Sequence, residues 1–360
     1  MKKKKVYLEW MRVLAVFLVI FNHMPGYSLF ITASGVPQAF LMYMSMLVRV
    51  NVPLFLMVSG AVLLNRQEDF LTVLKRRVGR IAAVLLLFSL GLFIGHTLYY
   101  TLIKGVAYDH SLRRFLYAFF SVQVEGAESY WYLYAFLGYL LMLPYLQRVA
   151  RDFTRQDFIA LVALRTLLSA CVPMLSLLLT GRGLPAFRIT GYFSVPLAVT
   201  HAFFYPLAGC YLDRLDIEKI SRRKLARIAL AGAAGLAVAC LCTYVQAGRD
   251  GIFAQTYVQL FDYAAAIAAF LLIKRLTLVT FPGLCRGRTA RAICLMGSLS
   301  FGVYLLDPYL KLIGWGTYSR LVSGALSPLG LSLGWCAVSM CVGGTIVWVL
   351  KKLPVFRKLL

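Results

Sequence analysis

Runs of about 20 mostly apolar residues, the length that crosses a bilayer core as a helix, recur along this chain between short basic or glycine-rich breaks. Hydrocarbon offers the backbone no hydrogen-bond partner, so each run must satisfy its own N–H and C=O groups, and a helix does that. The runs fall near 7–24, 40–64, 81–103, 130–147, 157–180, 190–212, 225–247, 252–278, 292–313 and 329–350. The expected fold class is therefore all-α, a polytopic transmembrane bundle of about ten helices. The composition agrees: at 61% hydrophobic, 14% charged and mean hydropathy +0.76, the 360 residues carry too little polar surface to enclose a soluble globule of this size. The 40–64 run is long, and Arg49-Val50-Asn51-Val52-Pro53 interrupts it. Proline donates no helical hydrogen bond, so a kink or a short amphipathic lead-in is expected there. No internal repeat or low-complexity segment marks a boundary, and residues 1–360 read as a single integral membrane domain.

A net charge of +24 would suggest nucleic acid in a soluble protein. Here most lysines and arginines sit in alternate loops, at the N-terminus, 65–80, 148–156, 213–227, 274–291 and the C-terminal tail. That is the positive-inside pattern of a multi-pass protein of the cell membrane, and it places both termini in the cytoplasm. Its partner is the lipid bilayer, and nucleic-acid binding is not expected. The lysine run before the first apolar stretch resembles a secretory signal, but Met24-Pro25-Gly26 offers no small-residue cleavage site, so a retained first helix is expected. The eight cysteines lie mostly inside apolar runs, where cysteine acts as a small hydrophobe. Their spacing suggests neither a disulfide framework nor a metal site.

The first run carries an acid and an arginine near its start, Glu9 and Arg12, and a histidine at its end, His23. Arg12 and His23 are about three turns apart at 3.6 residues per turn, so they share a face at two depths roughly 16 Å apart. Desolvating either side chain costs several kcal/mol, which points that face toward protein or water rather than lipid. The other intramembrane polar residues fall into two layers. Glu9, Arg12, Ser59, the cluster Lys75-Arg76-Arg77 and Arg80 lie on the cytoplasmic side, while His23, His96, Asp262 and Asp307 lie toward the other. A neutral imidazole can take a proton from a hydroxyl near pH 7, which makes His23 the candidate general base. For Arg12, an ion pair with Glu9 at i, i+3 and a direct ligand contact both stand open. Arg77 and Arg80, also i, i+3, suit either a positive-inside boundary or one phosphate-bearing ligand. Ser59 suits helix packing, and Trp131 an interfacial anchor.

The ordered set of motifs resembles the acyltransferase 3 family of membrane O-acyltransferases. An arginine, ten residues and a histidine occupy the first span, with Glu9 three residues before the arginine. Val52-Pro53-Leu54-Phe55-Leu56-Met57-Val58-Ser59-Gly60, Arg77-Val78-Gly79-Arg80, Trp131-Tyr132-Leu133-Tyr134-Ala135 and Ser300-Phe301-Gly302-Val303-Tyr304-Leu305 follow in family order. The resemblance covers nearly the whole chain. It implies catalytic roles for His23 and Arg12, and substrate or donor contacts for Arg77, Arg80, Glu9, Ser59, Trp131 and Asp307. It also implies transfer of an acyl group, most simply acetyl, from cytoplasmic acyl-CoA to a hydroxyl of a cell-surface or lipid-linked saccharide. Acetyl-CoA or another acyl-CoA would be a substrate, with no permanently bound cofactor and no metal. The chain departs from the family in two places: Ser129 and Asp307 stand where many members carry histidine, which bears on the acceptor more than on the core reaction. The alternative class is a transporter or flippase that uses His23 and the intramembrane aspartates as a proton relay. No inverted repeat supports it.

Overall fold

The computed structural model describes residues 5–106, 109, 111–180, 195–251, 253, 257 and 260–360. All the regular structure among them is helical. Seven helices are long and apolar enough to cross a membrane, or eight if the bent pair Val6–Asn22 and Pro25–Ile31, which meet at 58°, forms one span. That is somewhat fewer than the ten runs in the sequence. The run at 130–147 does form a helix, Trp131–Arg151, but its tyrosines, Pro144 and its polar last turn dilute its apolar character. The run at 190–212 begins within 181–194, outside the described residues; its remainder forms Pro196–Val199 and His201–Arg214. Most of 252–259 also lies outside them, and the following helix begins at Asp262.

In chain order the main helices are α1 (Val6–Asn22), α2 (Gly35–Val48), α3 (Asn51–Leu63), α4 (Gly79–Leu98), α5 (Leu112–Phe120), α6 (Trp131–Arg151), α7 (Arg155–Thr166), α8 (Val172–Thr180), α9 (His201–Arg214), α10 (Arg222–Asp250), α11 (Asp262–Arg275), α12 (Gly287–Leu310) and α13 (Pro328–Val338). Side-chain caps start several of them. Ser111 Oγ accepts from Arg114 N, Ser221 Oγ from Lys224 N, and Thr154 forms a reciprocal capping box with Asp157. The expected break in the second run is present, with α2 ending at Val48 and α3 starting at Asn51. Pro53 sits in the first turn of α3, where a missing N–H costs nothing, and Asn51 Oδ1 accepts from Val52 N at 2.6 Å.

The chain divides into two compact units, each assembled from separated segments. One comprises Met1–Leu18, Tyr27–Gln67 and Tyr145–Gly297. Its tightest contact joins α3 and α9: a Cβ at Gly60 would overlap the backbone of Pro206, and one at Gly209 the backbone of Met57. Two glycines facing two backbones let these helices approach as small residues do in membranes. Buried cations in this unit bind backbone carbonyls that lack helical partners. Arg165 donates to Ala198 O at 3.0 Å and Val199 O at 3.1 Å, where the chain turns extended at Thr200 between two helices. Lys274 donates to Leu212 O, Asp213 O and Leu215 O at the end of α9. These bonds replace water for groups that hydrocarbon would leave unsatisfied.

The second unit comprises Val19–Gly26, Glu68–Pro144 and Ser298–Leu360. Tyrosine hydroxyls knit it together. Tyr309 donates to Phe88 O at 2.6 Å, joining α12 to α4. Tyr130 donates to Leu305 O at 2.5 Å and Tyr304 to Ser129 O at 2.7 Å, a reciprocal clamp between α12 and the turn before α6. Each bond places a polar tip of a large apolar side chain on a buried acceptor.

Candidate active site

His23 is the first residue past α1, and its Nδ1 lies 2.8 Å from Val19 O, one turn back. A carbonyl can only accept, so Nδ1 carries the proton and Nε2 keeps the lone pair of the neutral ring. The helix end thus selects the tautomer that leaves Nε2 basic. Lys311 Nζ donates to the backbone oxygen of His23 at 3.2 Å and stands 3.4 Å from Asp307 Oδ2, an i, i+4 ion pair along α12 and the turn after it. Asp307 Oδ1 accepts from Ser339 Oγ at 2.7 Å. The carboxylate is therefore buried with a cation on one oxygen and a hydroxyl on the other, as a charge away from water requires.

These groups surround a cavity of about 460 Å³ lined by His23, His96, Gly126, Glu128, Ser129, Asp307, Pro308, Lys311 and Leu312. All of its walls belong to the second unit. The tyrosine clamp sets the register of Ser129 against Asp307. Gly126 adopts φ +76°, and a Cβ there would run into the ring of His96, so only glycine fits both the backbone and the space. Glu128 Oε1 accepts from Gly126 N at 3.2 Å and closes the turn.

Of the residues singled out in the sequence, His23 and Asp307 meet in this cavity, and so does Ser129. Both positions that depart from the family pattern therefore line one wall system with the candidate base. His96, placed in the same layer by sequence, joins them. Asp262, the fourth member of that layer, lies in the other unit, 3.7 Å from Arg165. Lys311 and Glu128 were not singled out; a lysine one turn after an aspartate near the end of an apolar run was the available signal for the first.

Arg12 pairs with Glu9 at 2.8 Å, so the ion pair open at the sequence level is formed. Glu9 is buried, with Oε2 against Gly297, where no Cβ would fit. Ser59 Oγ donates to Phe55 O at 2.9 Å, beside the Gly60 contact, and Trp131 is half exposed and outside the cavity lining. Arg77 holds Glu68 by two bonds of 2.6 Å, from Nε and Nη2. It sits in a π-helical turn, Leu74–Val78, immediately before α4, whose first turn carries the exposed Arg80. π turns of this kind recur at functional sites.

The profile of the acyltransferase domain matches residues 5–350, essentially the whole chain, and with it both ends of the cavity-bearing fold. The chain belongs to the acyltransferase 3 family. Neither curated proteins nor solved structures include a match to it. Membership, with the apolar helices, makes this acyltransferase a multi-pass membrane protein. It also decides between the two classes left by the polar residues, in favour of an enzyme over a transporter. An acyltransferase that moves its group to oxygen needs a base for the hydroxyl proton and a cation or dipole for the tetrahedral oxyanion. His23 and Lys311 both line the cavity.

Proposed function

We propose that the protein transfers an acyl group, most simply acetyl, from acyl-CoA to a hydroxyl of a cell-surface or lipid-linked saccharide. The observation that carries this reading is His23, held by Val19 O with Nε2 basic, in a cavity that also holds Lys311, Asp307 and Ser129. In the step proposed, the acceptor O–H proton passes to His23 Nε2 while the oxygen attacks the thioester carbon. The C–O bond forms, the oxyanion collapses, the C–S bond breaks, and CoA leaves as a thiol carrying the proton back from the imidazolium. Lys311 faces the oxyanion, and the polar walls at Ser129, Glu128 and Asp307 match a polyhydroxylated acceptor.

The donor's phosphates fit the basic turn at 75–80 in the same unit. The pair with Glu68 occupies the Nε–Nη2 edge of Arg77 and leaves the Nη1 edge for a second anion, with Arg80 one turn on. Charge-assisted bonds of this type are about twice as strong as neutral ones. The positive-inside pattern supports a cytoplasmic donor side and cytoplasmic termini in a cell-membrane protein.

The test is release of CoA thiol from acetyl-CoA by purified protein in detergent, with and without a saccharide acceptor. Acceptor-dependent release that disappears in His23→Ala supports the reading. Release that ignores the acceptor, or that survives the substitution, overturns it.

A further inference from the structure

Helix α5 (Leu112–Phe120) is amphipathic in a way the catalytic reading does not use. One face packs inward through aromatic rings: Phe115 meets Phe93 of α4 at 5.4 Å between centroids, and Phe119 meets Tyr134 of α6 at 5.7 Å. Tyr134 OH also donates to Phe119 O at 2.7 Å. A second face carries Leu112, Leu116 and Phe120, which recur every four residues and form one stripe. They are 70%, 42% and 78% exposed. Water would not stabilise three such side chains in a row, and Arg113 borders them.

The depth of α5 says what covers the stripe. The basic turn ending at Arg80 marks one membrane boundary, and a hydrocarbon core of about 30 Å at 1.5 Å per residue carries α4 to roughly residue 100. Phe93 then lies about 10 Å inside the far boundary, and Phe115 packs against it. The face of α4 at this level, Ile94 and Leu98, is itself exposed and apolar, which in a multi-pass protein is lipid-facing surface. Through the Phe93–Phe115 contact, α5 and its stripe lie at the same level as that surface. The long stem of Arg113 can lie along the same apolar edge while its head reaches the phosphates, as arginines near a membrane boundary do.

The end of α5 leads directly into the cavity wall. Val122 adopts φ +57°, a conformation that a β-branched residue enters only when its surroundings compel it. Gln123 N bonds Ala118 O at 2.8 Å across that residue, so the strained turn is closed. Gly126, Glu128 and Ser129 of the cavity follow immediately.

We propose that α5 is an interfacial helix, seated by Leu112, Leu116 and Phe120 in the phospholipid leaflet at the far end of α4, and that this seat holds the Gly126–Ser129 wall of the His23 cavity in place. The partner is the bilayer itself.

The test uses the full chain in nanodiscs of three parts phosphatidylcholine to one of phosphatidylglycerol. Nitroxide labels are placed singly at 116, 120 and 98, and at 66 as a water-exposed reference, with the native cysteines replaced. Labels at 116 and 120 should collide with oxygen in preference to a nickel chelate, as the label at 98 does. Collision with the chelate at the level of 66 overturns the seat, and so does protection from both reagents, which would mean a protein partner such as a second copy. If labelled proteins do not fold, Phe120→Trp in the otherwise natural chain serves instead: brominated lipids should quench its added fluorescence, and unquenched emission overturns the proposal. The link to the cavity is read by amide exchange. In L116D/F120D the 121–129 segment should exchange at least tenfold faster than in the unsubstituted protein, and an unchanged rate removes the link while leaving the seat to the label data.

Discussion

His23 carries the most specific prediction. Its replacement by alanine should lower turnover by about 100- to 10,000-fold, the usual cost of losing a general base, with little change in donor affinity. Turnover should also fall at low pH, because protonation of the imidazole removes the Nε2 lone pair that takes the acceptor proton. A profile flat from about pH 5 to 9, with chemistry shown to limit the rate, would remove the histidine from the mechanism. Arg77→Ala and Arg80→Ala should act differently, raising KM for acyl-CoA with kcat nearly kept, since a phosphate contact remote from the reacting carbon contributes mostly uniform binding. A fall in kcat with unchanged KM in either variant would contradict that assignment. The pairing of Arg12 with Glu9 was legible from their spacing of three, because neighbours on a helix meet whatever the rest of the chain does. The meeting of Lys311 with the carbonyl of His23 was not, because 288 positions separate them and only folding brings them together.

Among the helices, the close passage of α3 and α9 depends on two glycines, and its cost can be measured. Gly60→Ala places a methyl group into the backbone of Pro206 and should destabilise the protein by about 1–3 kcal/mol, as overpacking does. Gly138→Ala, where a Cβ meets nothing within 4 Å, should instead stabilise α6 by about 0.5–1 kcal/mol. Thermal unfolding in one detergent compares the two, and equal effects would mean that the helix contact is not set by these glycines. At the turn before α6, Gly126→Ala meets both a left-handed φ and the His96 ring, so the cavity wall should loosen and turnover should fall with it. Turnover kept at the wild-type level in that variant would show that the wall does not need its present shape. The proline break between α2 and α3 was readable in advance, since it follows from local chemistry. The π turns at Leu74–Val78 and Lys311–Trp315 were not, because each inserts a residue that no periodicity announces.

For the molecule as a whole, charge distribution predicts orientation. A cysteine introduced at Lys219, in a background cleared of native cysteines, should stay unlabelled by an impermeant reagent in intact cells and react after permeabilisation. Labelling from outside would invert the topology and move the donor side with it. The two compact units share α1, whose residues to Leu18 belong to one and whose end from Val19 belongs to the other. Glu9 and Arg12 thus sit in one unit and His23, the residue after α1, in the other.

Helix class, membrane residence, the break at Pro53 and the family itself follow from apolar run length, proline chemistry and the order of short motifs, all of which are properties of neighbours along the chain. The candidate base was also visible there, because an arginine and a histidine on one apolar face are too costly to be incidental. The cavity was another matter. Its walls come from α1's end, α4, the 126–129 turn and α12, and nothing in any one of those segments says that the others will be near. Tyrosine hydroxyls on distant carbonyls, a glycine beside an imidazole and a lysine on a helix end select that arrangement through contacts that exist only once the chain is folded. Sequence patterns report the solvent each segment is meant for; which polar groups share a cavity depends on packing, and packing is a property of pairs that the linear order does not hold.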